Sequence, residues 1–146
     1  MNERELEFVA QHQSAAMTTV RKDGSPHTVR VGVAVIDGRI WSSGTQTRLR
    51  TKHLRHDPRS TLFVFDTDPA TSWRFLTLEC NVRILDGADA PEQNLRLFQH
   101  LQEGTSKPGY VQWFGQEKTV DEFLKAMREK QRLIYEFDVK KTYGLH

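Results

Sequence analysis

Residues 42 to 52 read Ser42-Ser43-Gly44-Thr45-Gln46-Thr47-Arg48-Leu49-Arg50-Thr51-Lys52, a run of hydroxyl donors leading into cations at alternate positions. Phosphate binding draws on this combination: charge-assisted donors, exposed backbone N–H groups and the positive end of a helix dipole. From Arg48 to Arg59 the basic residues Arg48, Arg50, Lys52, Arg55 and Arg59 stand against the single acid Asp57. The whole chain carries only +2, so the remainder is mildly acidic and the basic character is local. A concentrated anion site fits this distribution better than a nucleic-acid footprint, which spreads over a face. The same residues also suit a solvated basic helix packed through Leu49 and Leu54, and composition leaves both readings open.

Other chemistries find no support in the residues. There is no GxxxxGK[ST] loop, no HExxH, no GxSxG and no GxGxxG, and the sole cysteine, Cys80, has no CxxC partner. Cys80 lies among Leu78 and Val82 in an expected strand, where a small buried hydrophobe is the natural reading. His53 and His56 are three apart, but no carboxylate or cysteine joins them at ligand spacing, so they read as solvated and no metal site is expected. One cysteine cannot form an intramolecular disulfide, which points to a reducing compartment. The apolar run from Val31 to Ile36 is far short of the roughly 20 residues a membrane span needs, and the charged start MNEREL is unlike a signal peptide. The expectation is a soluble cytoplasmic protein with neither membrane nor nucleic acid as partner.

The elements that must position the hydroxyl and cation run follow from patterning. A length of 146 residues favours one domain, 1–146. Asn2 and Glu5 form a capping box ahead of Leu6, Phe8 and Val9, predicting an N-terminal helix. Strands are predicted at Ala15–Val20, Pro26–Ile36 and Arg39–Ser43. In the second, Val29, Val31, Val33 and Val35 alternate with Thr28, Arg30, Gly32 and Ala34, and Asp37-Gly38 is a two-residue hairpin turn. Thr47 can cap a short helix that Asp57-Pro58 ends near His56. Strands resume at Ser60–Asp66 and Trp73–Leu85. Helices are predicted from Asp89 toward Gln102 and from the Thr119–Glu122 capping box to about Lys130, before a last strand, Arg132–Val139. Six strands with short connections predict a mainly β fold, an antiparallel β-barrel or sandwich with peripheral helices. Glu103 to Lys118 reads as a long loop carrying Tyr110, Trp113 and Phe114.

From Ala15 the stretch AAMTTVRKDGSPHTVRVGVAVIDGRIWSSGTQTRLRTKHLRHDPRSTLFVFD resembles the split β-barrel flavin and deazaflavin oxidoreductases related to pyridoxamine phosphate oxidase. It is most similar to their short actinobacterial branch that uses coenzyme F420. The DGxP turn at Asp23, Gly24 and Pro26 and the TRxRTKxLRxDPR segment from Thr47 to Arg59 carry the likeness, and the ending RLIYEFDVKKTYGLH also fits. The resemblance implies an FMN-binding-like split barrel and a homodimer with two cofactor sites at its interface. By position, Ser43 and Thr45 match the hydroxyls that reach the cofactor phosphate, and Arg48 and Arg50 match its cations, the latter more often lysine in relatives. His27 and Arg30 match positions near the ring, and Trp73 matches a residue that the second subunit lays beside the cofactor. Plainer roles stand next to these: an exposed strand residue for His27, a cross-strand ion-pair partner for Arg30, a loop residue folded over the barrel end for Trp73. Cys80 replaces a glycine common in that strand.

The implied activity is hydride transfer from reduced F420 to a conjugated small-molecule acceptor such as an enone, a quinone or biliverdin. The alternatives are an FMN-binding relative and a non-enzymatic module for haem or another tetrapyrrole. A deazaflavin carries the hydride itself, so no catalytic side chain is nominated. The segment 103–118 either walls the substrate pocket or packs on the barrel or across the dimer.

Overall fold

The computed structural model describes residues 1–146 as α1 (Glu3–Gln11), β1 (Ser14–Val20), β2 (Pro26–Gly32), β3 (Ala34–Ile36), β4 (Arg39–Thr45), α2 (Leu49–His56), β5 (Arg59–Phe65), β6 (Phe75–Leu85), α3 (Ala90–Leu101), β7 (Tyr110–Trp113), β8 (Gln116–Thr119), α4 (Val120–Glu129) and β9 (Arg132–Leu145). Seven strands form one antiparallel sheet in the order β2-β1-β5-β6-β9-β4-β3. β2 and β3 are its two edges, yet only Val33 separates them in the chain. The sheet must therefore curl until its edges meet. Val33 N–H donates to the Gln13 carbonyl at 2.8 Å, and Ser42 Oγ closes the seam by donating to the Gly32 carbonyl at 2.7 Å.

Curling turns one face of every strand inward. Met17, Leu62, Val64, Leu76, Leu78, Leu133 and Tyr135 fill the barrel without solvent exposure, and α2 plugs one end with Leu54. The other face of β3, β4 and β9 is covered by α3, where Leu97 packs against Ala34, Ile36, Trp41 and Ile134. Glu136 on that layer accepts from Trp41 Nε1 at 2.9 Å. A third cluster joins the β7–β8 hairpin to α4 through Val111, Trp113, Phe123 and Met127. No helix is long and apolar enough to cross a membrane.

The alternation, the capping boxes at Asn2 and Thr119 and the Asp37-Gly38 turn, with φ of 51° and 75°, are present as expected. Nine strands stand where six were predicted. The run 26–36 breaks at Val33, where the chain passes from one edge to the other. The segment 103–118 is not a loop: it holds β7 and β8, too short for alternation to be conspicuous, joined at Phe114 and Gly115. β9 continues past Val139 to pair with the whole of β6, with a register shift between Glu79 and Cys80. β6 begins at Phe75, leaving Trp73 in the preceding turn. Arg48, not Thr47, is the residue before α2, and there is no side-chain cap because a guanidinium has no acceptor to offer the backbone N–H groups; Thr51 Oγ1 donates back to the Thr45 carbonyl at 2.6 Å.

Gly44 lies under the Tyr135 phenol so closely that a Cβ there would overlap the ring. Gly44→Ala is expected to destabilise the fold by about 1–3 kcal/mol in urea unfolding, as overpacked cores do. Gly32→Ala, whose Cβ meets the end of the Leu101 side chain at 3.4 Å and the Gln13 carbonyl at an ordinary 3.9 Å, is expected to be far milder. Equal midpoints for the two variants would contradict this packing.

Candidate functional site

The end of β4 runs beside the start of β9, so Thr45 pairs with Arg132 and Ser43 with Ile134. Ser43 and Thr45, two apart, share the face turned toward α3. The Ser43 hydroxyl is engaged twice: it donates to Asn94 Oδ1 on α3 at 2.5 Å and accepts from Arg132 Nη2 at 2.8 Å. Asn94 is itself fixed by donating to the Ala90 carbonyl at 3.0 Å. Thr45 Oγ1 lies 3.3 Å from Thr47 Oγ1, leaving hydroxyl capacity toward solvent.

α2 brings the other two cations. Arg50 donates to the Ser43 carbonyl at 3.3 Å and lays its guanidinium 5.6 Å from the centre of the Tyr135 ring. The Tyr135 hydroxyl bonds the Thr51 hydroxyl, tying the strand to the helix beneath Arg50. Arg48 is exposed at the helix start. Arg132 is only 8% exposed and stacks over Trp113 at 4.9 Å. The Nε atoms of Arg50 and Arg132 are both buried without a hydrogen-bond partner.

These cations lack counter-charges. Arg55, on the same helix, pairs with Asp86 at 3.0 Å, whereas Arg48, Arg50 and Arg132 make no ion pair. Burial first, and then the charges of Arg48 and Arg50, push the Arg132 guanidinium down to about 10. Arg50 is lowered too, by burial foremost, with Arg48 adding to it. Beside them opens a cleft of about 640 Å³ lined by Thr45, Thr47, Arg48, Lys130 and Arg132 together with Trp113 and Phe114, with no carboxylate among its residues. An anion here meets hydroxyls, several cations and donors with nothing else to bond.

Of the residues expected at a cofactor, Ser43, Thr45, Arg48 and Arg50 thus come together. The other three are elsewhere in the chain. His27 faces inward at the barrel end, its ring 5.1 Å from that of His53 on α2, and its Nδ1 is buried without a partner. Arg30, three residues on, points to the opposite face and donates to Ser14 Oγ at 2.9 Å. Trp73 is 62% exposed. Cys80 is buried, its thiol pushed up to about 12 by burial. The plain helix reading also fails in detail, since Leu54 is buried but Leu49 is 59% exposed. Sequence reasoning missed Arg132, Asn94 and Tyr135. Only Arg132 left a local sign, as a charge heading the otherwise apolar Leu133-Ile134-Tyr135.

Residues 1–145 match the family described as pyridoxamine 5'-phosphate oxidase. No curated protein matches the sequence. Among solved structures, the conserved hypothetical protein Rv2991 from Mycobacterium tuberculosis is similar with a TM-score of 0.74 and 24% identity, over 99% of this chain and 84% of that one. An F420 reductase is similar with a TM-score of 0.68 and 16% identity, over 98% of each chain. A FAD-binding protein from Mesorhizobium loti gives a TM-score of 0.67 and 15% identity, over 99% of this chain and 94% of that one. At these identities the likeness is one of fold.

His53 gives this region a pH dependence. His53 Nδ1 lies 2.9 Å from Thr19 Oγ1, and its pKa is lowered by burial, by His27 opposite and by Arg21. A histidine depressed in the fold takes up its proton more readily when unfolded, so its contribution is lost as pH falls below the ordinary value of 6.5. Urea midpoints are expected to drop between about pH 7.5 and about pH 5.5, and less so in His53→Gln. An unchanged slope in that variant would assign the titration elsewhere.

Proposed function

The chain belongs to the pyridoxamine 5'-phosphate oxidase family, and within it we propose a homodimeric oxidoreductase that holds coenzyme F420 and delivers a hydride to a conjugated small molecule such as an enone, a quinone or biliverdin. The observation that carries this reading is the trio Arg48, Arg50 and Arg132, free of carboxylates and holding two buried, unpartnered Nε atoms. Such a cluster suits the phosphate of a nucleotide-like cofactor. The F420 reductase that the chain resembles along its length makes the deazaflavin the first ligand to test and FMN the second.

Arg48 and Thr45 would meet the phosphate directly, with Arg50 behind them. Ser43, whose proton is committed to Asn94, would act by holding Arg132. His27 would act through α2, against which it packs. When bound, a reduced deazaflavin supplies the hydride, so the chain's work is to hold the ring, exclude water and leave one face open.

The homodimer is part of the proposal. Phe63, Phe65 and Phe75 cluster on the outer face of β5 and β6 with centroids 5.4–5.5 Å apart, and β9 adds Tyr143 and Leu145, which are 50% and 57% exposed. An apolar face of this kind calls for cover. A second copy seated there would bring its exposed Trp73 and Arg30 toward the first copy's cofactor. Sedimentation is expected at about twice 16.9 kDa, and Phe63→Glu is expected to shift the protein toward the monomer. A wild-type monomer with full cofactor affinity would overturn this arrangement.

Cofactor binding is read by titrating F420 and FMN separately and following fluorescence. A charge-assisted contact worth roughly 1.5–3 kcal/mol makes Arg48→Ala weaken binding by about 10- to 150-fold. Its thermal melt should stay within about 0.5 kcal/mol of wild type, because Arg48 is exposed. Arg50, half-buried on Tyr135, is the poorer probe because its removal also costs packing. Oxidation of reduced F420 by an added quinone, seen as returning deazaflavin absorbance, reads the activity. FMN binding without F420 binding would assign the flavin instead. Unchanged affinity in Arg48→Ala would move the phosphate away from α2.

A further inference from the structure

The hairpin that walls the cleft has a tip at odds with its own backbone. Phe114 and Gly115 join β7 to β8 with φ of 47° and 77°, the two-residue turn that favours Asn-Gly. A phenylalanine is uncommon at positive φ, where its side chain crowds the backbone. Phe114 is also 78% exposed, its ring against Trp113 only edge-on, at 4.6 Å. Neither turn geometry nor core packing accounts for an aromatic residue there. What the tip does reach is the cleft, whose lining also includes Leu49, another apolar side chain at 59% exposure. Behind Phe114, Trp113 is held by the buried Arg132, whose Nε lacks a partner. The cleft is therefore lined by cations and by exposed apolar side chains together.

We propose that the hairpin tip is a ligand-selecting arm: Phe114 and Leu49 close on an aromatic or conjugated group attached to the anion that Arg48, Lys130 and Arg132 hold. This rests on the reading of the arginines as an anion site and adds the class of molecule the site prefers, an aryl-bearing phosphate over a bare one. Trp113 couples the two halves. Its one face carries the guanidinium, and its neighbour in the turn carries the exposed ring.

The test uses the full-length protein, inorganic phosphate and phenyl phosphate as probes, and calorimetry as the readout. Wild type is expected to bind phenyl phosphate about 3- to 10-fold more tightly than inorganic phosphate, the scale of one aromatic contact. Phe114→Asn is chosen because asparagine suits positive φ, so the hairpin should hold or gain stability while the ring is lost. Loss of the aryl preference with unchanged inorganic phosphate affinity supports the inference. A preference that survives in Phe114→Asn, or that wild type lacks, overturns it while leaving the anion site intact. So does a fall in sedimenting mass in Phe114→Asn, which would make the tip a subunit contact. No inorganic phosphate binding in wild type, or binding indifferent to Arg48→Ala, overturns the anion site itself and this inference with it.

Discussion

Everything in this chain that bears on function depends on one closure. β2 and β3 are the opposite edges of the sheet, and one residue, Val33, carries the chain from the first to the second. A flat sheet cannot satisfy that link, so the sheet curls and its seam is bonded between Ser42 and Gly32. Curling decides what meets beyond the seam. The end of β4 is set against the start of β9, α2 is seated in the barrel mouth, and Ser43, Thr45 and Arg132 arrive on one face beside Arg48 and Arg50.

Holding guanidiniums together without a carboxylate works against folding, since each loses water and repels the next. The chain offsets this with neutral partners. Arg50 rests on the Tyr135 ring and the Ser43 carbonyl, and Arg132 on the Trp113 ring and the Ser43 hydroxyl. Each keeps its charge and its geometry yet retains unspent donor capacity. This differs from the treatment of Arg55 and Arg59, which are paired with Asp86 and Asp57 and so have little left to offer a ligand. Local basic charge in the sequence thus divides into paired residues and available ones, a division that only the fold makes.

What could be read in the sequence was what local rules govern. The alternating valines of β2, the Asp37-Gly38 turn and the two capping boxes each depend on residues a few positions apart. The hydroxyl and cation run belongs to this class, being one strand end and the next helix. Arg132 does not. It is 87 positions from Thr45 and becomes its neighbour only through strand register. The hairpin hid for another reason: strands of four residues carry one alternation each, and Phe114 occupies the turn position where asparagine would have given the signal. The likeness to known oxidoreductases grouped His27 with Arg30, but three steps along a strand turn side chains to opposite faces, so one chain cannot present both to one ligand.

The place of β9 bears on how the protein comes into being. It follows every other strand in the chain, yet it lies between β6 and β4 in the sheet, with no direct pairing to bypass it. Until residues 132–145 have left the ribosome, β4 with β3 forms one fragment and β2, β1, β5 and β6 another, each with raw hydrogen-bonding edges. The join then requires pairings across some ninety positions for β4, a non-local step that is intrinsically slow. The nascent chain therefore carries unpaired strand edges until β9 emerges, and its yield in a cell depends on how well those edges are shielded in the interval.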